Sequence, residues 1–267
     1  MSFLTGLSGA WMLGLTLVFI VAISAGMVLV LARSPEDRRE RAGLTAAAYM
    51  TALGSLFAIL TGFLINTEYS TLRHTNEVVG QEAAAVSQLG YASAGLPPPD
   101  AVLVQQRLAT YVDTLATVEW SALAAGRSEE SPAFTGLAAL QAEVVRLGSE
   151  SYPSPDAVAS MRDALQELTQ ARRERIAIAS QGLPTALFAL SVLAGLALIA
   201  NAIIVAMRSG RRYAWVAGGI IALVAFDLAA ILAISAPFRG PFQASTRPLA
   251  GVAQELRDSA YLPWVSK

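Results

Sequence analysis

Asp227 stands near the centre of Tyr213 to Phe238, a run of 26 residues that holds no other charge. A carboxylate at membrane depth normally faces a bundle interior, a water-filled cavity or another subunit. Ionised, it can bind a cation or relay protons; protonated, it can hydrogen-bond a neighbouring hydroxyl or amide, for which Ser191, Thr45, Thr51 and Asn201 are candidates. A second constellation is basic. Arg73 and His74 follow one long apolar stretch, and Arg172, Arg173 and Arg175 precede another. Together they would make a positive collar where two helices enter the membrane, gathering anions at a pore mouth in an oligomer. The alternative is a solvated face paired with Glu77 and Glu174 and touching lipid phosphates.

Other chemistry finds no residues to carry it. The absence of cysteine removes disulfides, thiolate nucleophiles and cysteine-ligated metals, and the single histidine removes any two-histidine metal site within one chain. Carboxylates four apart, such as Asp163 and Glu167, lack the histidine of a di-metal helix motif. There is no serine elbow, phosphate-binding glycine loop or zinc signature. No catalytic, cofactor-binding or metal-ligating set is therefore expected, and the chain is read as a non-enzyme without cofactor. A net charge of −1 and a pI near 5.9 leave no basic footprint for nucleic acid.

The elements that must position these residues are apolar blocks. Of 267 residues 54% are hydrophobic and 15% charged. Ala10 to Ala32, Gly43 to Asn66 and Ile176 to Met207 carry no charge, and each is long enough to cross the roughly 30 Å hydrocarbon layer. With the Asp227 stretch they predict an all-α polytopic membrane protein of four transmembrane helices, over 10–32, 43–66, about 183–207 and 213–236. The first is too long for a signal peptide and its charges follow it, so it should stay attached. Arg33, Arg38, Arg39 and Arg41 between the first two spans, and Arg208, Arg211 and Arg212 between the last two, are expected in cytoplasmic hairpins. Both termini and the segment between spans two and three would then lie outside, an assignment opposed by the arginines at 172, 173 and 175. Pairs of small residues four apart, Ala22 with Gly26, Ser191 with Gly195 and Gly218 with Ala222, favour close helix packing.

Residues 67–180 form a predicted extramembrane helical bundle. Its first helix continues out of span two on Leu72, Val79, Val86 and Leu89 until Gly90 to Pro99 ends it. A second, N-capped by Asp100, carries the stripe Leu108, Val112, Leu115 and Val118 to Gly126. A third starts at Ser131-Pro132 and uses Leu137, Leu140, Val144 and Leu147. The fourth follows the turn at Tyr152 to Asp156 with Val158, Met161, Leu165 and Leu168, and runs toward span three, where Pro184 would bend it. Residues 239–267 read as a turn and an amphipathic helix on Leu249, Val252, Leu256 and Ala260, placed at the membrane interface or on the flank of the central domain.

This layout resembles the bacterial bestrophin-like membrane family. The residues that carry the resemblance are Glu82-Ala83 in the first extramembrane helix, the Tyr111 segment of the second, and the turn Pro237-Phe238-Arg239-Gly240. Members of that family usually place an acid and a base just before the Pro-Phe pair, where this chain has Ser235 and Ala236. The resemblance implies a multi-pass protein of the bacterial inner membrane. It also implies a relation to bestrophins, pentameric anion channels with aromatic necks, for which span two offers Phe57 and Phe63; channel topology would put the large domain in the cytoplasm, against the arginine count. The lipid bilayer is the expected environment. The chain is expected to be a homo-oligomeric small-ion channel or transporter, or else an accessory or scaffold subunit of a larger membrane complex; a sensor lacks an output domain.

Overall fold

A computed structural model describes residues 36–127, 132–149, 155–209 and 211–262, Trp264 and scattered positions from 18 to 33; at 36–45, 132, 208–209 and 211–212 it describes backbone alone. The described residues are helical and contain no strand. Numbered within them, the elements are α1 (Glu36–Ser93), α2 (Pro98–Thr114), a π-helical turn (Leu115–Glu119), α3 (Trp120–Ala124), α4 (Pro132–Ser149), α5 (Pro155–Ser180), α6 (Thr185–Ser209), α7 (Arg211–Ile234) and α8 (Arg247–Arg257). Three helical stretches are long and apolar enough to cross a membrane: Ala46–Ser93, Pro155–Met207 and Tyr213–Ile234. Most of the span expected over 10–32, the Ser131 cap and most of the Tyr152 turn fall outside the described residues.

The described residues within 1–70 and 182–242 make one compact unit. Phe57 and Leu64 of α1, Ala194, Leu198, Ile199 and Ile203 of α6 and Val224, Leu228 and Ile231 of α7 form its core. The small-residue pairs divide. Ser191 is fully buried and Gly195 meets α1 and α7 so closely that an added Cβ would lie 2.8 Å from Val224 Cγ1 and 3.0 Å from the Phe57 ring. Gly26 and Gly218 face open space. Gly195→Ala is therefore expected to overpack this core, lowering stability by about 1–3 kcal/mol in a detergent melt, whereas Gly218→Ala should be silent or stabilising.

The described residues within 71–181 and 243–267 make the second unit. Its core takes one stripe from each helix: Val78, Val79 and Val86; Leu108 and Val112; Leu137, Leu140 and Val144; Val158, Met161 and Leu168; and Leu249, Val252 and Leu256 of α8. The C-terminal helix thus packs on α2, with Arg257 Nη1 3.2 Å from Asp113 Oδ1 and the Ser245 amide donating to Asn76 Oδ1 at 2.8 Å.

Four local expectations need correction. Arg38, Arg39 and Arg41 lie within α1, which starts at Glu36, not in a hairpin loop. Asp100 is not the N-cap of α2. Pro97 takes that place because the run Pro97 to Pro99 presets helical φ without needing the missing N–H groups, and Asp100 sits in the first turn, 2.8 Å from Arg146 Nη2. Pro184 interrupts the helix instead of bending it: α5 ends at Ser180 and α6 begins at Thr185. Val118 is 44% exposed, because the π turn bonds residue i to i+5 where an α-helix bonds i to i+4, and the extra residue brings the inward face back at Glu119 and Trp120.

Candidate functional site

Four charged side chains and a tyrosine meet inside the second unit. Each stands where its helix otherwise presents apolar residues. Glu82 lies three after Val79 and four before Val86; Tyr111 lies beside Val112; Glu119 closes the π turn four after Leu115; Arg172 and Arg175 lie four and seven after Leu168. Helical spacing directs all of them inward.

Arg175 is the hub. It is fully buried, and its Nε donates to Glu82 Oε2 at 2.7 Å while Nη2 reaches Glu82 Oε1 at 3.3 Å and also Glu119 Oε1. The other oxygen of Glu119 accepts from Arg172 Nη2 at 3.1 Å, and the Tyr111 hydroxyl donates to Glu82 Oε1 at 2.7 Å. Arg172 lies over the Phe134 ring, 5.7 Å from its centroid. Two carboxylates and two guanidiniums cancel in charge, which is the condition for holding ions in a desolvated interior. Burial opposes the charge on Arg175, but Glu82 and Glu119 outweigh it and raise its pKa above the usual arginine value. Burial first, and the Glu82 charge second, push the Tyr111 phenol well above its ordinary value, so it remains a donor. The arrangement ties α1, α2, the π turn and α5 in one register.

The five basic residues of the expected collar do not come together. Arg172 and Arg175 turn into this network, whereas Arg73, His74 and Arg173 are exposed. His74 Nε2 lies 2.9 Å from Glu174 Oε1, and Arg73 Nη2 lies 3.7 Å from Glu77 Oε1. Arg173 borders an open groove of about 480 Å³ with Gln141, Gln166, Thr169 and Gln170. The reason is rotation: successive residues of a helix are 100° apart, so 172 and 175 share the Leu168 face and 173 does not.

In the other unit Asp227 is half-buried and has no hydrogen bond or ion pair among the described residues. Of its expected partners, the Ser191 hydroxyl donates to the Leu187 carbonyl at 3.0 Å and the Asn201 amide to the Ala46 carbonyl at 2.7 Å. Phe57 is buried in the core and Phe63 exposed. In the turn Pro237-Phe238-Arg239-Gly240, Phe238 is buried, the Arg239 amide donates to the Ala236 carbonyl at 3.0 Å, and Gly240 has φ +86°, a conformation that favours glycine. Sequence reasoning overlooked Glu119, and also Glu68, which is 6% exposed on the packed face of α1 with Phe57, Thr61 and Leu64. The available signal was an acid on an apolar stripe.

Among curated proteins, none matches the sequence. Solved structures do, at the level of the fold. A tyrosine-to-alanine variant of a bacterial bestrophin homologue from Klebsiella pneumoniae superposes with a TM-score of 0.69 at 14% identity, covering 91% of this chain and 98% of that one. A leucine-to-threonine variant gives 0.70 at 14% identity, covering 93% and 98%. The homologue phased on zinc gives 0.66 at 14%, covering 95% and 98%. The bestrophin-like domain family matches the sequence itself over residues 17–249, which takes in Glu82, Tyr111, Glu119, Arg175 and the Pro-Phe-Arg-Gly turn. The chain belongs to the bestrophin-like family.

Proposed function

We propose that the chain is one subunit of a homo-oligomeric membrane channel or transporter for small ions, built on four spans at 10–32, 43–66, 183–207 and 213–236 with the helical domain of residues 67–180 outside the bilayer. Its fold is that of bestrophin homologues. The observation that carries the reading is a face of α1. Ser55, Ile59, Gly62, Asn66 and Ser70 are exposed at helical spacing, opposite the packed Phe57, Thr61 and Leu64. Lipid favours apolar side chains, so a face of a spanning helix on which all but Ile59 are small or polar suits a water-filled path between subunits. Arg73 and His74 then contribute an exposed cationic ring, while Arg172 and Arg175, neutralised by acids, hold the domain. Asp227 is the intramembrane residue proposed to meet ions, and the turn at Pro237 to Gly240 sets where span four ends. The arginines clustered at the proposed ends of spans one and two and of spans three and four support a bacterial inner-membrane protein with its termini and central domain extracytoplasmic.

The test exploits the absence of cysteine. Native mass spectrometry should find a homo-oligomer, and liposomes containing Asn66→Cys should lose ion flux on treatment with a charged thiol reagent, whereas Leu193→Cys, exposed on α6, should not. One copy bound to unrelated subunits, or flux indifferent to the reagent, would sink the reading. Unchanged flux and stability in Asp227→Asn would remove that residue from it.

A further inference from the structure

The π turn at Leu115–Glu119 is a departure that the helix must sustain against its own hydrogen bonding. Wide turns are rare and occur mostly as single turns inside α-helices, and here the Trp120 amide reaches back five residues to the Leu115 carbonyl. Its effect is a change of register. An α-helix continued from Leu108, Val112 and Leu115 would bring Val118 toward the core and carry Trp120 about 100° away from it. The wide turn reverses this: Val118 is 44% exposed, and Trp120 and Leu123 are buried.

We propose that residues 115–119 are a charge-held register latch. Glu119 uses both carboxylate oxygens, one on Arg175 and one on Arg172, so it is tied to two successive turns of α5. Apolar burial is non-directional and tolerates rotation of a side chain, but two charge-assisted hydrogen bonds from opposite oxygens do not. The arginines therefore fix the angle at Glu119, and that angle fixes the wide turn. Released from them, the segment relaxes to α geometry, Val118 swings inward and residues 120–124 rotate outward.

The experiment uses the full chain in detergent with Val118→Cys as its single thiol. In the parent background this thiol reacts quickly with an impermeant maleimide. In Glu119→Gln it is expected to react about tenfold more slowly, while Thr117→Cys, exposed in either register, is unchanged. Should Glu119→Gln fail to fold, the charge-balanced pair Glu119→Leu with Arg172→Leu leaves Arg175 on Glu82 and is expected to show the same protection. Parental labelling at Val118→Cys in either folded background overturns the latch and assigns the wide turn to the packing of Trp120 and Leu123.

Discussion

Replacing Arg175 with methionine is expected to cost about 3–5 kcal/mol of stability, because it leaves Glu82 and Glu119 buried without their shared cation. Methionine fills much of the same space, so the loss measures charge and not a cavity. Glu82 would keep its bond from the Tyr111 hydroxyl, and Glu119 its bond from Arg172. In a chain of this size the loss corresponds to a fall in melting temperature of roughly 6–20 °C, read by circular dichroism in detergent. The decisive companion is Glu82→Met, Tyr111→Phe and Arg175→Met together. Removing all three groups leaves no uncompensated charge, since Glu119 loses one bond but stays paired with Arg172, and such apolar replacements are neutral or stabilising in other proteins. Recovery of most of the lost stability is expected. If the single variant melts with the parent, the network is not desolvated and its structural role falls.

The second large effect is at Tyr261. Its ring packs edge-on against Tyr91, with centroids 4.7 Å apart, and lies so close to Gly90 that an added Cβ there would sit 3.0 Å from it. Its hydroxyl bonds to Ser87 Oγ at 3.0 Å and to Glu255. Tyr261→Ala removes the anchor that follows α8 and should cost about 3–5 kcal/mol, whereas Tyr261→Phe, losing hydrogen bonds alone, should cost about 1 kcal/mol. Burial, then the bond to Glu255, pushes the Tyr261 pKa up to about 12. A group whose folded pKa is raised favours folding while protonated. Its contribution is complete below the unfolded value of about 10 and is lost as the pH rises toward 12. Tyr111 is raised as well and extends the loss to higher pH. Alkaline melts should show this decline, and Tyr261→Phe should flatten it between pH 10 and 12; an equal slope in both proteins would refute the assignment.

The apolar blocks were legible because membrane insertion imposes length and composition at once, and α6 and α7 fall where those blocks end. The stripes of the second unit were legible for the same reason, down to Leu140 and Met161. What the sequence concealed was pairing. Glu82, Glu119, Arg172 and Arg175 each lie on an apolar stripe, a readable local anomaly, but their partners are 53 to 93 residues away in the chain and no periodicity links them. Arg172 and Arg175 looked like surface charge because Arg173 and Glu174 lie between them; only the helical angle separates the two kinds. The π turn left no mark in composition, so Val118 was placed inward by arithmetic that held up to Leu115.

The separation of Glu82 from Arg175 also orders events during synthesis. At 5–20 residues per second, 93 residues take roughly 5–20 s to be made, and over that interval Glu82 lacks Arg175, the cation it is buried with. Packing α1 against α2 early would strand its carboxylate, so the nascent domain is held open by hydration of one acid until α5 emerges. The same pair that closes the finished domain therefore delays its closure until the chain that completes it is present.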